Sequence, residues 1–237
     1  MQQETLTYEA DGLSMRSRLV YEPAVGPRAA VLVFPEAFGL DDRALARAAV
    51  LASLGYVALA CDLHGEGEVV PELADAMARL QPLFENPLRT RARALGALAA
   101  LAARPEVDPT RIAAIGYCFP APLELARSGA DVKAVAGFHT GLATQAPVNG
   151  SGVIKARVHV HVGADDPFIA AEHRSAFEAE MRAAGADWEM TVYGGTVHSF
   201  TNPDASKRNM PHAIRYNADA ESRSWASVLE LFEAALG

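Results

Sequence analysis

Short apolar runs separated by amphipathic stretches set the rhythm of the chain. Residues 29–34, Ala-Ala-Val-Leu-Val-Phe, and residues 56–61 are uninterrupted apolar runs, the pattern of strands buried on both faces. Residues 112–117 repeat it, and 132–138, 156–162 and 188–193 predict three further strands. Between them the apolar period changes to that of a helix. Asp41 or Asp42 caps a helix whose Leu45, Ala48, Ala49 and Ala52 form one stripe, and Gly55 ends it. A short helix is predicted near 71–80. Asn86 as cap and Pro87 at the first helical position open a longer one, with Leu88, Leu95, Leu98 and Leu101 as its apolar positions. Further helices are predicted from Leu123, over 170–184 and over 218–235, while 203–216 is polar and irregular.

Residues 5–9 and 14–21 flank Ala10-Asp11-Gly12, and Asp-Gly between strand-like runs predicts a hairpin. The full pattern is that of an α/β chain: a mostly parallel, doubly wound sheet with an N-terminal antiparallel hairpin and helices on both faces. The 237 residues suit a single domain, 1–237. Ligands of such sheets bind beyond the carboxyl ends of the strands, so that edge is where chemistry is expected.

Composition narrows the partners. Half of the residues are hydrophobic, yet no apolar run reaches the eighteen or so needed to span a membrane, and the N-terminus lacks a basic start and apolar segment. These features predict a cytoplasmic protein with no membrane partner, and nothing demands more than a monomer. A net charge of −8 repels polyanions, which argues against nucleic acid. The two cysteines, Cys61 and Cys118, form neither a metal-ligand pattern nor a disulfide framework. His159 and His161 share one strand face but have no third ligand at a fitting spacing, so no metal is expected. No strand leads into a glycine-rich phosphate loop, and no cofactor is predicted.

Four polar residues stand just after predicted strands: Glu36, Cys118, Asp166 and His198. Cys118 sits on the corner between a strand and a helix, where the helix N-terminus favours a thiolate. The chain order nucleophile, acid, histidine is the one α/β sheets of this kind use for acyl transfer. At least one helix and one strand separate each pair, so only folding can bring them together.

Gly116-Tyr117-Cys118-Phe119, Pro35-Glu36-Ala37-Phe38-Gly39-Leu40, Asp62-Leu63-His64-Gly65, Gly163-Ala164-Asp165-Asp166 and Val197-His198-Ser199-Phe200-Thr201-Asn202-Pro203 occur in order along the chain. Together they resemble the dienelactone hydrolase family of the α/β-hydrolase fold. The resemblance implies a cysteine-dependent hydrolase of small carboxylic esters or lactones, acting through a thioester acyl-enzyme. It implies Cys118 as nucleophile, His198 as base and Asp166 as the residue that orients the base, with Asp165 the nearest competitor. It further implies that Glu36 lies beside the thiol and holds the resting cysteine neutral until substrate displaces it. The N–H groups of Phe119 and Ala37 are the expected oxyanion donors. Phe38, His64 and Phe200 are placed in the substrate pocket.

Two departures from the family pattern stand out. Pro120 occupies the place, two after the nucleophile, where a small residue is usual, and the segment before it is about two residues short. An alternative reading is therefore a catalytically impaired relative that binds a small molecule. The family's dienelactone-cleaving members also place an arginine shortly after the histidine. Here none comes before Arg208, and Arg89, Arg91 and Arg208 are left without a role.

Overall fold

The computed structural model describes residues 1–237. Its strands are β1 (Gln2–Ala10), β2 (Leu13–Tyr21), β3 (Arg28–Phe34), β4 (Val57–Ala60), β5 (Val107–Tyr117), β6 (Ala134–Phe138), β7 (Arg157–Gly163) and β8 (Trp188–Tyr193). They form one sheet in the order β1-β2-β4-β3-β5-β6-β7-β8. The hairpin β1/β2 and the β2/β4 pair are antiparallel, and every other pairing is parallel. Asp11 and Gly12 both take positive φ, 51° and 71°, as a tight hairpin turn demands.

The helices are α1 (Asp42–Ser53), α2 (Leu73–Glu85), α3 (Pro87–Ala102), α4 (Ala121–Arg127), α5 (Ala171–Ala184) and α6 (Ala218–Leu236). α1 and α6 pack on one face of the sheet, and α2 to α5 on the other. Asp41 caps α1 by accepting from the Ala44 N–H at 3.0 Å, and Asn86 caps α3 with Pro87 next to it. None of the helices is long and apolar enough to cross a membrane.

Two expectations need correction. α2 runs on to Glu85, through Pro82, rather than stopping near residue 80. α3 turns a different face inward: Leu88 and Leu95 are exposed, while Thr90, Arg93, Ala94, Ala97 and Leu101 are buried. Backbone proximity explains the choice. A Cβ at Gly96 would lie 2.6 Å from the Ala10 Cβ, so position 96 of α3 admits only glycine against the hairpin. Arg93 enters this face because its guanidinium meets Asp11 at 2.8 Å and the Leu63 carbonyl at 2.5 Å.

α4 is buried along its whole length although it carries Glu124 and Arg127. Arg127 donates to Glu124 at 2.8 Å, to Glu180 of α5 at 2.7 Å and to the Leu142 carbonyl at 2.9 Å. Glu124 accepts in turn from Arg91 of α3 at 2.9 Å. Two cations and two anions therefore share one dry cluster, and it fixes the helix that begins three residues after Cys118.

Candidate active site

β5 ends at Tyr117 and α4 begins at Ala121, leaving Cys118 on the corner with φ 61°. A non-glycine residue held there carries local strain, which the surroundings must over-determine. They do: the Cys118 N–H donates to the Phe138 carbonyl at 3.1 Å, and its carbonyl accepts from the Gly141 N–H at 2.9 Å. The prolines fit this corner. Pro120 is the helix cap with φ −77°, and both it and Pro122 lack only N–H groups that a first turn leaves unpaired. The close approach falls at Gly116 instead, where a Cβ would lie 2.6 Å from the Pro122 ring. Cys118 is half-buried, whereas Cys61 is fully buried with its thiol donating to the Leu59 carbonyl and burial pushing its pKa up.

The loops after β7 and β8 meet because Gly163 has no side chain: a Cβ there would lie 2.3 Å from the Thr196 carbonyl oxygen. Asp166 then accepts from His198, Nδ1 to Oδ2, at 2.8 Å, while its other oxygen takes the Phe168 N–H at 2.9 Å. Asp165 is exposed and makes no such contact, so of the two neighbours Asp166 is the one that meets the histidine. Burial disfavours the His198 cation, but the interactions with Cys118 and Asp166 more than offset that, and its pKa is pushed up to about 10. The edges of Phe168 and His139 flank the ring, with centroids at 5.1 and 5.0 Å. His139 is itself neutral: burial and the nearby His198 charge hold it well below the ordinary histidine value, and its Nε2 meets Thr201 Oγ1 at 3.0 Å.

Glu36 reaches the same cavity but does not bond the thiol, contrary to the expected resting contact. Its carboxylate accepts from Asn202 at 3.2 Å and Ser199 at 3.4 Å, and Arg43 Nε lies 3.6 Å away. These partners come from the histidine loop and α1, so Glu36 ties the loop after β3 to the loop after β8. Burial raises its pKa above the usual carboxylate range, against the opposing pull of Arg43 and His198.

The Ala37 N–H makes no hydrogen bond within the protein, and Ala37 lines the cavity. Phe119 N–H, by contrast, closes a three-residue turn onto the Tyr117 carbonyl at 2.6 Å. His64 is not in the pocket. Its Nε2 donates to the Ala37 carbonyl at 2.8 Å, because Asp62 gathers the backbone N–H groups of Arg16, His64, Gly65 and Gly67 and turns the loop under Ala37. Phe200 is also absent from the pocket. The chain turns at Ser199, φ 51°, and sends Phe200 fully buried against Tyr193 and His139.

Around Cys118 and His198 lies a cavity of about 310 Å³. Phe38 lines it, with the Arg208 guanidinium 3.6 Å from its ring centroid. Four residues of α2, Leu73, Met77, Leu80 and Phe84, form another wall that was not assigned to the site from sequence. Their spacing of four, three and four on one helix face was the available signal. Arg89 and Arg91 lie elsewhere, paired with Asp11 and Glu124. The His159 and His161 pair joins no group of three or more potential metal ligands, and His161 Nδ1 instead meets the Tyr193 hydroxyl at 3.1 Å.

An eight-stranded sheet with a strained strand-to-helix corner bearing a cysteine and a histidine-aspartate pair at its carboxyl edge is the architecture of an α/β hydrolase. The chain belongs to the dienelactone hydrolase family, whose sequence model matches residues 15–236. Among solved structures, m3DLH is 41% identical with TM-score 0.93, covering 100% of this chain and 99% of that one. The dienelactone hydrolase-like promiscuous phosphotriesterase P91 from metagenomic libraries is 40% identical, also with TM-score 0.93 and the same coverage. A probable 2-oxo-3-(5-oxofuran-2-ylidene)propanoate lactonase of Bradyrhizobium is 28% identical over 204 residues, 80% of this chain and 81% of its own length.

Proposed function

We propose that the protein hydrolyses carboxylic esters or lactones through a thioester on Cys118. The observation that carries this reading is the buried His198–Asp166 hydrogen bond at 2.8 Å beside a half-buried cysteine held at φ 61°. The thiolate attacks the acyl carbon, and the oxyanion forms against the free Ala37 N–H, with the Phe119 N–H shared between it and the Tyr117 carbonyl. The His198 cation gives its proton to the departing alkoxide. His198 then takes a proton from water as the water attacks the thioester, releasing the carboxylic acid and restoring the thiolate beside the His198 cation. Asp166 holds the ring for both transfers. The Bradyrhizobium relative is named a probable lactonase, which supports carbonyl chemistry of this kind.

The pH dependence tests it. His198 has a folded-state pKa near 10, above its ordinary value of about 6.5. Its ion pairs therefore stabilise the protein fully below about 6.5, and that contribution is lost as pH rises through about 10. Turnover of an alkyl ester, whose leaving group needs the imidazolium proton, is expected to hold across neutral pH and fall through about 10. An alkaline fall near 6.5 contradicts the ion pair.

A second reading, a binding protein without turnover, draws on the Phe119 N–H, which points at the Tyr117 carbonyl at 2.6 Å. Ligand binding with neither turnover nor acylation of Cys118 distinguishes it.

A further inference from the structure

The chain has nine phenylalanines, and only Phe84 and Phe168 are exposed, at 41% and 51%. Both line the cavity around Cys118. Met77 and Met210, exposed at 44% and 41%, line it too. Large apolar side chains left in water and gathered at one concave place mark a surface that a ligand covers. The polar groups are segregated: Glu36, Ser199 and Asn202 bond one another near the thiol, while α2 contributes only Leu73, Met77, Leu80 and Phe84. Apart from His198, Arg208 is the one cation on the wall, and its guanidinium is taken up over the Phe38 ring. A carboxylate carried by the substrate would also lie near the buried Glu36 carboxyl, which lines the cavity with Cys118.

We propose that the site selects neutral esters or lactones bearing a medium-length alkyl or an aryl group, which lies along the α2 stripe against Met77, Phe84 and Phe168. This rests on the ester or lactone hydrolase reading above and adds its substrate class. Phe84 is braced for the role by an edge-on contact with Phe119, centroids 5.0 Å apart, so that it forms a firm wall rather than a loose surface ring.

The test measures kcat/KM over two series at neutral pH: nitrophenyl esters with acyl chains from acetyl to octanoyl, and acetates of alcohols from ethyl to octyl and benzyl. In one of the series each added methylene is expected to raise kcat/KM about fourfold until the stripe is covered, on the order of a hundredfold in total. The Met77→Ala/Phe84→Ala double variant is expected to lower the longest ester's kcat/KM at least about tenfold more than that of the acetyl ester. Because both residues are exposed, the variant removes little from the core. Should it nonetheless fail to fold, the wild-type series still decides. A kcat/KM that is flat or falls with chain length in both series overturns the proposal. So does preference for a singly charged succinate ester over a neutral ester of equal length. Absence of turnover and of Cys118 acylation with every ester instead overturns the hydrolase reading itself.

Discussion

Replacing Cys118 by alanine is expected to cut ester turnover on the order of 10⁴-fold or more while leaving the protein folded. In the proposed mechanism this removes the nucleophile and leaves only the oxyanion donors and the binding surface, which cannot form an acyl-enzyme. Folding is spared because alanine meets the φ of 61° at Cys118 with about the same strain as cysteine, and the bonds to Phe138 and Gly141 are made by the backbone. Cys118→Ser sharpens the point. A hydroxyl carries no charge, so His198 loses its strongest supporting charge and its pKa falls back toward the ordinary range. The serine variant is expected to work weakly and to gain activity as pH rises through that range. Undiminished turnover by Cys118→Ala, measured with a nitrophenyl ester beside a thermal melt, contradicts the assignment.

The second large effect lies outside the cavity. Arg127→Met is expected to cost about 3–5 kcal/mol of stability, because Glu180 is left buried with no cationic partner. Arg127 is 1% exposed and contacts Glu124, Glu180 and the Leu142 carbonyl, so the change also frees a carbonyl that nothing else bonds. Adding Glu180→Gln should recover part of the loss, since the charge that cannot be solvated is then gone. Urea unfolding of the two variants reads both effects. A loss below about 1 kcal/mol for Arg127→Met contradicts a dry cluster and indicates that water reaches it.

β3, β4 and the end of β5 were legible as apolar runs, and the order of the chemistry because polar residues follow soon after strand ends. Glu36, Cys118, Asp166 and His198 all stand at such ends, and the fold brings them to one edge of the sheet. The wrong face of α3 shows where pattern reading stops. Leucines mark a helix, but the Ala10 Cβ beneath Gly96 decides which side can approach the sheet. His64 and Phe200 were misplaced for a related reason. Both follow strands, yet hydrogen bonding to Asp62 and the turn at Ser199 direct them under the site instead of into it. The expected contact between Glu36 and the thiol failed because Asn202, Ser199 and Arg43, distant in sequence, surround the carboxylate first. The α2 wall was missed because Met77 and Phe84 look like ordinary core positions until the cavity they face is seen.

The departure at Pro120 reads differently in three dimensions. The corner keeps its positive φ, and Gly116 provides the close approach that a small residue after the cysteine would otherwise give. The Phe119 N–H, aimed at the Tyr117 carbonyl, is what the altered segment leaves for catalysis to resolve. Intact-protein mass spectrometry after brief exposure to an activated ester tests the central claim most directly. The account predicts a gain of one acyl mass, mapped to Cys118 and lost again as water cleaves the thioester. Steady turnover with Cys118 never acylated, or equal acylation of the Cys118→Ala variant, would contradict it.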